Sequence, residues 1–388
     1  MKILIALTYY QPHISGLTIY VQRLARALAE RGHQVTVLTA HFRRDLPYEE
    51  TVDGVHIIRS PVAFKLSKGV IQPGITLRYL ALAREHDVVS VHLPQAEAGA
   101  MSFIGRVLAN RPVILTYHCD LQLPPGLVNR VIDRMTYATN WVGGVFADRI
   151  VAYTQDYAMH SPLLSQFKNK IFVVYPPVEM PPPQPEAVQQ LRAKYQVDGC
   201  PVVGFAARFA EEKGVDYLIH SLPYVREKFP RVKYLFAGPY QDVIGENVWE
   251  RLQPLIQKYR DHLEFLGLVP NREMGNFFNA CDVLTVPSIN STESFGLVQI
   301  EAMLSGTPVV ASNLPGVREP VRVTGMGEIA PIKDARGLAE GIIRVLENRP
   351  RYVRPRSEIE EMFALDVTVK KYIGLFEELI EKKNASSR

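Results

Sequence analysis

Short apolar runs alternate along this chain with longer segments in which apolar residues recur every three or four positions. The short runs predict buried strands, and the longer segments predict amphipathic helices. In the first half of the chain, strands are expected at 2–8, 34–39, 55–59, 87–92, 112–117, 149–153 and 170–175. Helices are expected at 16–31, 74–86, 96–109, 125–146 and 156–166. This order favours a parallel sheet with helices on both faces.

The same alternation continues through the second half of the chain. Strands are expected at 201–207, 232–237, 262–266, 282–286 and 308–311. Helices are expected at 186–195, 214–228, 247–260, 271–279 and 296–305. Neither half carries the G-x-G-x-x-G fingerprint, which argues against a dinucleotide-dependent dehydrogenase. The pattern therefore predicts an α/β protein with two doubly wound domains.

A proline-rich segment separates the two halves, with six prolines among residues 176–185. Proline excludes regular helix and central strand, so this segment is expected to be a stiff, extended connector. The predicted domains are therefore 1–175 and 186–365, with the connector 176–185 between them. A last helix is expected at about 366–383.

Composition limits the compartment and the class of protein. The 388 residues are enough for two domains with separate cores, and 47% hydrophobic with 22% charged residues is typical of a soluble globular protein. Residues 1–8 are too short for a secretory signal and lack a cleavage site, so they are interpreted as a strand. Cys119, Cys200 and Cys281 are odd in number and far apart, which favours a reducing compartment and offers no metal-ligand spacing. A cytoplasmic protein without a bound metal is expected.

The net charge of +4 is distributed unevenly. Residues 1–175 carry 18 basic against 12 acidic side chains, whereas the remainder carries 26 against 28. The excess of basic residues in this half is consistent with a weak peripheral contact with a membrane or with an anionic acceptor. Ordinary solvated charge is the other interpretation, and it is favoured because no long basic run occurs. A peripheral position at the inner membrane face is thus an alternative to a purely cytoplasmic one. No interleaving of aromatic and basic residues indicates nucleic-acid binding.

Candidate chemistry is concentrated around two carboxylates, Glu293 and Glu301, that flank a glycine-containing turn at the start of a predicted helix. The backbone N–H groups of Phe295, Gly296 and Leu297 are expected to be unpaired there, which favours phosphate binding. The carboxylates can accept hydrogen bonds from pairs of sugar hydroxyls, so the segment favours a nucleotide-sugar pocket. The alternative is that Glu293 caps the helix and Glu301 pairs with a surface base.

This segment resembles the E-x7-E block of retaining glycosyltransferases of the GT-B fold, the large group that includes sucrose-phosphate and mannosyl transferases. The matching residues, in order and spacing, are Pro287-Ser288, Glu293, Phe295-Gly296-Leu297, Glu301-Ala302-Met303 and Gly306-Thr307-Pro308-Val309-Val310-Ala311. The resemblance covers essentially the whole chain. It implies two Rossmann-like domains facing across a cleft, with the last helix packing back on the first domain. The absence of an Asp-x-Asp motif fits a metal-independent enzyme of this type.

Arg208 and Lys213 follow the first predicted strand of the second half. Ligands of open parallel sheets bind beyond the carboxyl ends of the strands, so both residues are expected on the ligand-binding edge. In the family, an arginine and a lysine at these positions bind the donor diphosphate and stabilise the charge that develops on it. A surface Glu–Lys pair is the alternative interpretation of Lys213.

The resemblance also assigns roles to residues outside this motif. His118 ends a predicted strand and is expected to contact the transferred sugar and the leaving phosphate, although a lone structural histidine is the alternative. Gly16 is expected near the diphosphate, with Ser15 replacing the glycine that usually precedes it. Leu268 and Val269 match the loop whose backbone holds the base, without identifying that base.

The sequence is therefore interpreted as a retaining glycosyltransferase that moves a hexose from a nucleotide-diphosphate sugar to a hydroxyl of a sugar, polysaccharide or lipid-linked acceptor. The predicted catalytic residues are His118, Arg208, Lys213 and Glu293, and the predicted donor-binding residues are Gly16, Leu268, Val269, Phe295, Gly296, Leu297 and Glu301. UDP-glucose or a close relative is the expected donor, with GDP-mannose as the alternative, and no separate cofactor is expected. The glutamate pair argues against an epimerase of the same fold, and the short chain argues against a phosphorylase. A non-catalytic sugar-nucleotide-binding protein remains the alternative from another class.

Overall fold

The computed structural model describes residues 1–66, 69–123, 126–241, 243 and 246–386. The chain forms two compact units, one built from Met1–Pro177 with Leu365–Arg388 and the other from Val178–Ala364. Each unit contains a sheet that is wholly or mostly parallel with helices packed on it, which confirms the predicted α/β class.

The first unit contains an eight-stranded sheet and a separate two-stranded ribbon. Its strands are β1 (Lys2–Ala6), β2 (Gln34–Ala40), β3 (Glu49–Val52), β4 (Val55–Ser60), β5 (Phe64–Leu66), β6 (Gly69–Ile71), β7 (Val88–Leu93), β8 (Val113–Tyr117), β9 (Arg149–Ala152) and β10 (Ile171–Val173). Its helices are α1 (Gly16–Glu30), α2 (Ile75–Glu85), α3 (Ala98–Phe103), α4 (Leu127–Phe146), α5 (Gln155–His160) and the C-terminal helix (Leu365–Ser386). The sheet order is β10-β9-β8-β7-β1-β2-β4-β3, and only β3 runs antiparallel to its neighbour. The strand order therefore reverses between β1 and β7.

The second unit contains a six-stranded sheet in which every strand pair is parallel. Its strands are β11 (Val202–Ala206), β12 (Lys233–Ala237), β13 (Leu263–Gly267), β14 (Val283–Val286), β15 (Val309–Ser312) and β16 (Gly327–Ala330). Its helices are α6 (Pro185–Lys194), α7 (Val215–Lys228), α8 (Val248–Lys258), α9 (Met274–Ala280), α10 (Leu297–Leu304), α11 (Glu319–Thr324), α12 (Ala335–Glu347), α13 (Arg349–Tyr352) and α14 (Arg356–Phe363). The order β13-β12-β11-β14-β15-β16 is that of a doubly wound nucleotide-binding fold, and it reverses between β11 and β14.

Two predicted segments differ from the structure. The helix expected at 156–166 is interrupted, because α5 ends at His160 and a 3₁₀ segment follows at Leu164–Lys170. Pro162 explains the break, since proline pushes the preceding Ser161 into the extended conformation that it adopts here. Pro185 was predicted as the last residue of the connector 176–185, but it is the first residue of α6. Proline is tolerated there because the N–H groups of the first helical turn have no partner within the helix. The first residue of the helix predicted at 125–146 lies outside the described residues.

The predicted second domain ended at 365, whereas the second unit ends at Ala364 and Leu365 starts the C-terminal helix of the first unit. Several elements were not predicted, namely β3, β5, β6, β16 and the helices α11 to α14. None of the described helices is both long and apolar enough to cross a membrane.

Candidate functional site

Two loops of the second unit follow the strands between which its order reverses. Arg208 and Lys213 follow β11, and Glu293 follows the neighbouring β14. We call residues 208–214 and 287–296 together the clasp. The reversal point of an open parallel sheet is where such folds bind their ligands, so the clasp lies at the favoured position within this unit.

Backbone contacts hold the two loops of the clasp together. The N–H of Ile289 donates a hydrogen bond to the carbonyl oxygen of Glu212 at 3.0 Å. Gly214 is in the left-handed conformation, with φ of +68°, and a Cβ there would lie 2.0 Å from the carbonyl oxygen of Pro287. Only glycine combines this conformation with so close an approach of its Cα to the backbone of Pro287. The spacing of the loops therefore depends on Gly214.

An ion pair joins the same loops through side chains. The Nζ atom of Lys213 lies 2.6 Å from Oε2 of Glu293, and the two side chains are 24% and 18% exposed. Burial opposes the positive charge of Lys213, but the nearby carboxylates, Glu293 above all, outweigh it and raise the pKa of Lys213. Lys213 is therefore a fixed cation at neutral pH.

Arg208 pairs with a carboxylate that was not singled out in the sequence. One of its terminal nitrogens lies 2.5 Å from Oε1 of Glu212, and its side chain is 41% exposed. Partly exposed ion pairs contribute little to stability because water and salt screen them. The guanidinium can therefore exchange Glu212 for an anionic ligand at small cost. Across the described ranges, no three His, Cys, Asp or Glu side chains are grouped as a metal site.

The expectation of an unpaired amide at Gly296 is wrong for this structure. Its N–H donates to Oε1 of Glu293 at 2.9 Å, so one carboxylate caps the start of α10 and binds Lys213 at once. A side chain three residues before this amide can reach back to it, as in other helix caps. The capping interpretation of Glu293 is thus correct, although it omitted the lysine. The ring of Phe295 is buried and lies 6.1 Å from that of Phe363, and its carbonyl oxygen accepts a hydrogen bond from the Gln299 side chain at 2.7 Å.

The other predicted donor-binding residues of this unit lie on the same edge of its sheet. Leu297 and Glu301 are half-buried in the first two turns of α10, which follows β14. Leu268 and Val269 follow β13, and the side chain of Leu268 is 72% exposed. Two strand spacings, about 10 Å, separate β13 from β11 in the sheet. That separation suits a ligand that extends from a base to a diphosphate.

In the first unit, His118 belongs to a buried chain of hydrogen bonds. Its Nε2 lies 2.9 Å from Nδ1 of His92, its Nδ1 bonds the hydroxyl of Tyr153, and Nε2 of His92 lies 3.2 Å from the hydroxyl of Ser90. Burial lowers the pKa of His92 to about 3, and burial together with His92 holds the pKa of His118 well below its ordinary value. Both rings are therefore neutral at physiological pH. Both ring nitrogens of His118 have hydrogen-bond partners, as expected if this residue has only a structural role.

Aromatic side chains enclose this chain of hydrogen bonds. Tyr20 of α1 packs edge-on against His118, with ring centres 5.0 Å apart, and stacks on Tyr153 at 5.4 Å. The hydroxyl of Tyr20 lies 2.7 Å from that of Tyr372 on the C-terminal helix, which lies 2.9 Å from the hydroxyl of Thr116. Tyr20, which packs on the His118 ring, is thus held in place by the C-terminal helix, and Thr116 of β8 in turn contacts that helix.

Gly16 is exposed at the first turn of α1, directly after the N-cap residue Ser15. The Ser15 hydroxyl accepts the N–H of Thr18 at 3.2 Å, and the Thr18 hydroxyl oxygen accepts the N–H of Ser15 at 2.8 Å. This reciprocal cap explains why serine occupies the position where the family usually has glycine. The loop before α1 leads from β1, one of the two strands at the reversal point of this sheet.

Comparisons with known proteins agree with this architecture. Residues 188–362 match the family of glycosyl transferases group 1, and residues 14–180 match glycosyltransferase family 4. The chain belongs to the GT4-like glycosyltransferases. The phosphatidyl-myo-inositol mannosyltransferase of Mycobacterium leprae is 26% identical over 93% of this chain and 92% of its own length. The D-inositol 3-phosphate glycosyltransferase of Acidothermus cellulolyticus is 29% identical over 96% and 88%.

Solved structures share the fold of this glycosyltransferase at lower sequence identity. The Anabaena protein HepE, crystallised with UDP-glucose, has a TM-score of 0.77 and 19% identity, covering 98% of this chain and all of that one. Sucrose-phosphate synthase from Thermosynechococcus elongatus has a TM-score of 0.75 and 21% identity, covering 98% and 99%. These neighbours are GT-B glycosyltransferases, which confirms the predicted fold class.

Three residues of the site in this glycosyltransferase were missed in the sequence. His92 lies at the end of β7, beside the strand that precedes His118, and Ser90 shares its face of the strand. The strand period of two would have placed Ser90 and His92 together and marked them as buried polar residues needing partners. Glu212 lies four residues after Arg208. That spacing predicts an ion pair only within a helix, and no helix was predicted there.

Proposed function

We propose that this protein transfers a hexose from a nucleotide-diphosphate sugar to a hydroxyl of a sugar, polysaccharide or lipid-linked acceptor, with retention of anomeric configuration. The observation that carries the proposal is the clasp. It brings two cations, Arg208 and Lys213, to the strand-order reversal beside the start of α10. Cations and a helix N-terminus at such a point suit a diphosphate.

Each cation must change partner when a diphosphate binds. Lys213 and Arg208 are held by Glu293 and Glu212 in this structure, and phosphate oxygens compete for the same donors. Arg208 and Lys213 then stabilise the charge that grows on the departing nucleotide, an effect worth most in the transition state. We assign Glu301 to the donor ribose and the backbone at Leu268 and Val269 to the base.

The transfer proceeds by attack on the face of the sugar from which the nucleotide leaves. The acceptor oxygen forms a bond to the anomeric carbon while the bond from that carbon to the phosphate oxygen breaks. The acceptor proton passes to the departing phosphate, so no protein nucleophile is required. His118 is assigned to the hexose and the leaving phosphate. To make that contact, a ring nitrogen must exchange Tyr153 or His92 for the substrate.

Two donors have specific support. UDP-glucose is the first choice, because HepE shares the fold over nearly the whole chain and was crystallised with that donor. GDP-mannose is the alternative, because several relatives of about a quarter identity are named mannosyltransferases. The two cations of the clasp support a metal-independent reaction, since they can neutralise the diphosphate themselves. We assign the reaction to the cytoplasm.

Product analysis with matched lysine variants tests the proposal. The full-length protein is incubated with each donor, alone and with acceptors, and the anomeric configuration of the product is read by NMR. Lys213→Met should lower transfer by roughly 100- to 1,000-fold, the usual cost of losing one transition-state partner. Lys228→Met is the control, because Lys228 is also ion-paired, at 2.7 Å from Glu347, but lies at the opposite end of α7.

Each outcome bears on one part of the proposal. His118→Ala should lower transfer while leaving nucleotide affinity nearly intact. Nucleotide binding without hydrolysis or transfer would identify a binding protein instead of an enzyme. An inverted product would exclude retention, and activity that chelation abolishes and magnesium restores would exclude the metal-independent reaction. Equal losses in Lys213→Met and Lys228→Met would remove Lys213 from the site.

A further inference from the structure

Helix α4 exposes an apolar surface and buries a polar one. Eleven of its twenty residues are exposed, and eight of these are large hydrophobic side chains: Leu127, Val128, Val131, Met135, Tyr137, Trp141, Val142 and Val145. The residues buried against the rest of the unit are Thr136, Asn140, Gly143 and Gly144. A surface helix of a water-soluble domain has the opposite arrangement. We call the exposed side of α4 the outer face.

Charge on the outer face has one sign. The remaining exposed residues are Ala138, Arg130 and Arg134. The one acidic residue of α4, Asp133, is not exposed, and its Oδ2 accepts the N–H of Leu123 at 3.4 Å. No ion pair to a described residue engages Arg130 or Arg134. The outer face therefore presents two available cations among apolar side chains.

Two segments beside α4 add further exposed aromatic and basic side chains to this surface. The 3₁₀ segment Leu164–Lys170 lies beside the second half of α4, since Gln166 accepts a hydrogen bond from the indole N–H of Trp141 at 3.0 Å and Phe167 lies 6.3 Å from its ring. Lys168, the next residue, is exposed. Phe103 of α3 is 38% exposed and packs on Phe146 at 5.1 Å.

We propose that the outer face of α4 docks on an anionic lipid bilayer, with the helix parallel to the membrane plane. An apolar face set among basic residues is the pattern of interfacial helices, and tryptophan and tyrosine favour the level of the head groups. The helix is about 30 Å long, so it offers a continuous strip to the membrane. Arg130 and Arg134 complement lipid phosphates.

A second copy of the chain fits this face less well than a bilayer. A twofold dimer through α4 would bring the same surfaces together. The four arginines of the two copies would then lie in one apolar interface, and the outer face contains no carboxylate to pair with them. Anionic lipids supply that missing charge. This binding is independent of the proposed transfer reaction, so either can fail without the other.

Cosedimentation with vesicles tests the docking. The full-length protein should bind vesicles of equimolar phosphatidylglycerol and phosphatidylcholine, bind pure phosphatidylcholine weakly, and lose affinity at high salt. Arg130→Gln/Arg134→Gln should lower the partition coefficient roughly thirty-fold, from about 1 kcal/mol for each basic residue. Arg231→Gln/Arg260→Gln removes the same charge from exposed positions of the second unit and should have little effect.

A second pair of variants tests the apolar part of the outer face. Val131→Gln/Met135→Gln should lower partitioning by roughly a hundredfold or more, as expected from roughly 1.5 kcal/mol or more for each of the two buried side chains. Tyr224→Gln/Val323→Gln removes exposed hydrophobic residues elsewhere and is the control. Circular dichroism establishes that all four variants fold. Absence of binding to anionic vesicles, or equal losses in variant and control, would overturn the proposal. So would a dimer in sedimentation equilibrium that Val131→Gln/Met135→Gln dissociates, since the outer face would then belong to a second copy.

Discussion

Gly214→Ala tests whether the close approach of two backbones positions the clasp. A Cβ at Gly214 would lie 2.0 Å from the carbonyl oxygen and 2.9 Å from the carbonyl carbon of Pro287. Real Cβ atoms do not approach backbone so closely, and no side-chain rotation can relieve a contact with backbone. The loop after β11 must therefore move away from the loop after β14, and Lys213 must move with it.

The expected loss of stability has two parts. Alanine at a φ of +68° costs roughly 1–2 kcal/mol relative to an ordinary conformation. Overlap in a packed region adds about 1–3 kcal/mol, so Gly214→Ala should lower the free energy of unfolding by about 2–5 kcal/mol. Gly199 provides the matched control, since its φ is +67° and a Cβ there would meet nothing within 4 Å. Gly199→Ala should therefore show only the conformational part.

Urea unfolding of the two variants and the parent protein measures both parts. Titration with UDP and GDP provides a second measurement, because Gly199 precedes β11 whereas the clasp follows it. Gly214→Ala should weaken nucleotide binding, and Gly199→Ala should leave it unchanged. Losses of stability that agree within about 0.5 kcal/mol would refute the steric argument. A large loss of stability with normal nucleotide affinity would show that the clasp does not bind nucleotide.

Two further predictions concern single side chains. Glu301→Ala should weaken nucleotide binding ten- to hundred-fold, because a lost charged hydrogen bond costs about 1.5–3 kcal/mol; unchanged affinity in calorimetry would remove Glu301 from the donor site. His92 and His118 are neutral when folded, and the unfolded chain takes up their protons below a pH of about 6.5. The contribution of the two histidines to the free energy of unfolding should therefore be fully present above that pH. On acidification the free energy of unfolding should fall by up to about 1.4 kcal/mol for each histidine and each pH unit. Urea unfolding between about pH 7 and pH 5 measures this dependence on pH, and His92→Gln should reduce it. If the histidines were charged in the folded protein, the dependence would be absent.

The sequence predicts the sheets because their strands are buried on both faces. Runs such as Ile3 to Leu7 and Val283 to Val286 contain almost only apolar residues, a pattern that few helices of that length share. Edge elements escape this reasoning. Strand β3 contains Glu49 and Glu50, and β16 has the sequence Gly-Glu-Ile-Ala, so neither resembles a core strand.

The partners of the site residues are less accessible to sequence reasoning than the residues themselves. Lys213 and Glu293 are separated by 80 positions and meet only because β11 and β14 are adjacent at the reversal of the sheet. Knowledge of the strand order would bring these loops together but would not distinguish a cap from an ion pair. Glu293 makes both contacts with different oxygens, which neither sequence interpretation included.

That double contact gives the clasp its charge balance. Arg208 and Lys213 are offset by Glu212 and Glu293, so the four side chains carry no net charge, and the cations remain compensated in a partly buried region without ligand. A diphosphate that takes both lysine and arginine leaves the two carboxylates without their partners. Glu293 still accepts the N–H of Gly296 at the start of α10. In the proposed reaction, its second oxygen would then accept a hydroxyl of the hexose attached to that diphosphate. Under the proposed function, diphosphate binding and sugar recognition would be coupled through Glu293, and Glu293→Gln should weaken that coupling because an amide bonds Lys213 without the charge.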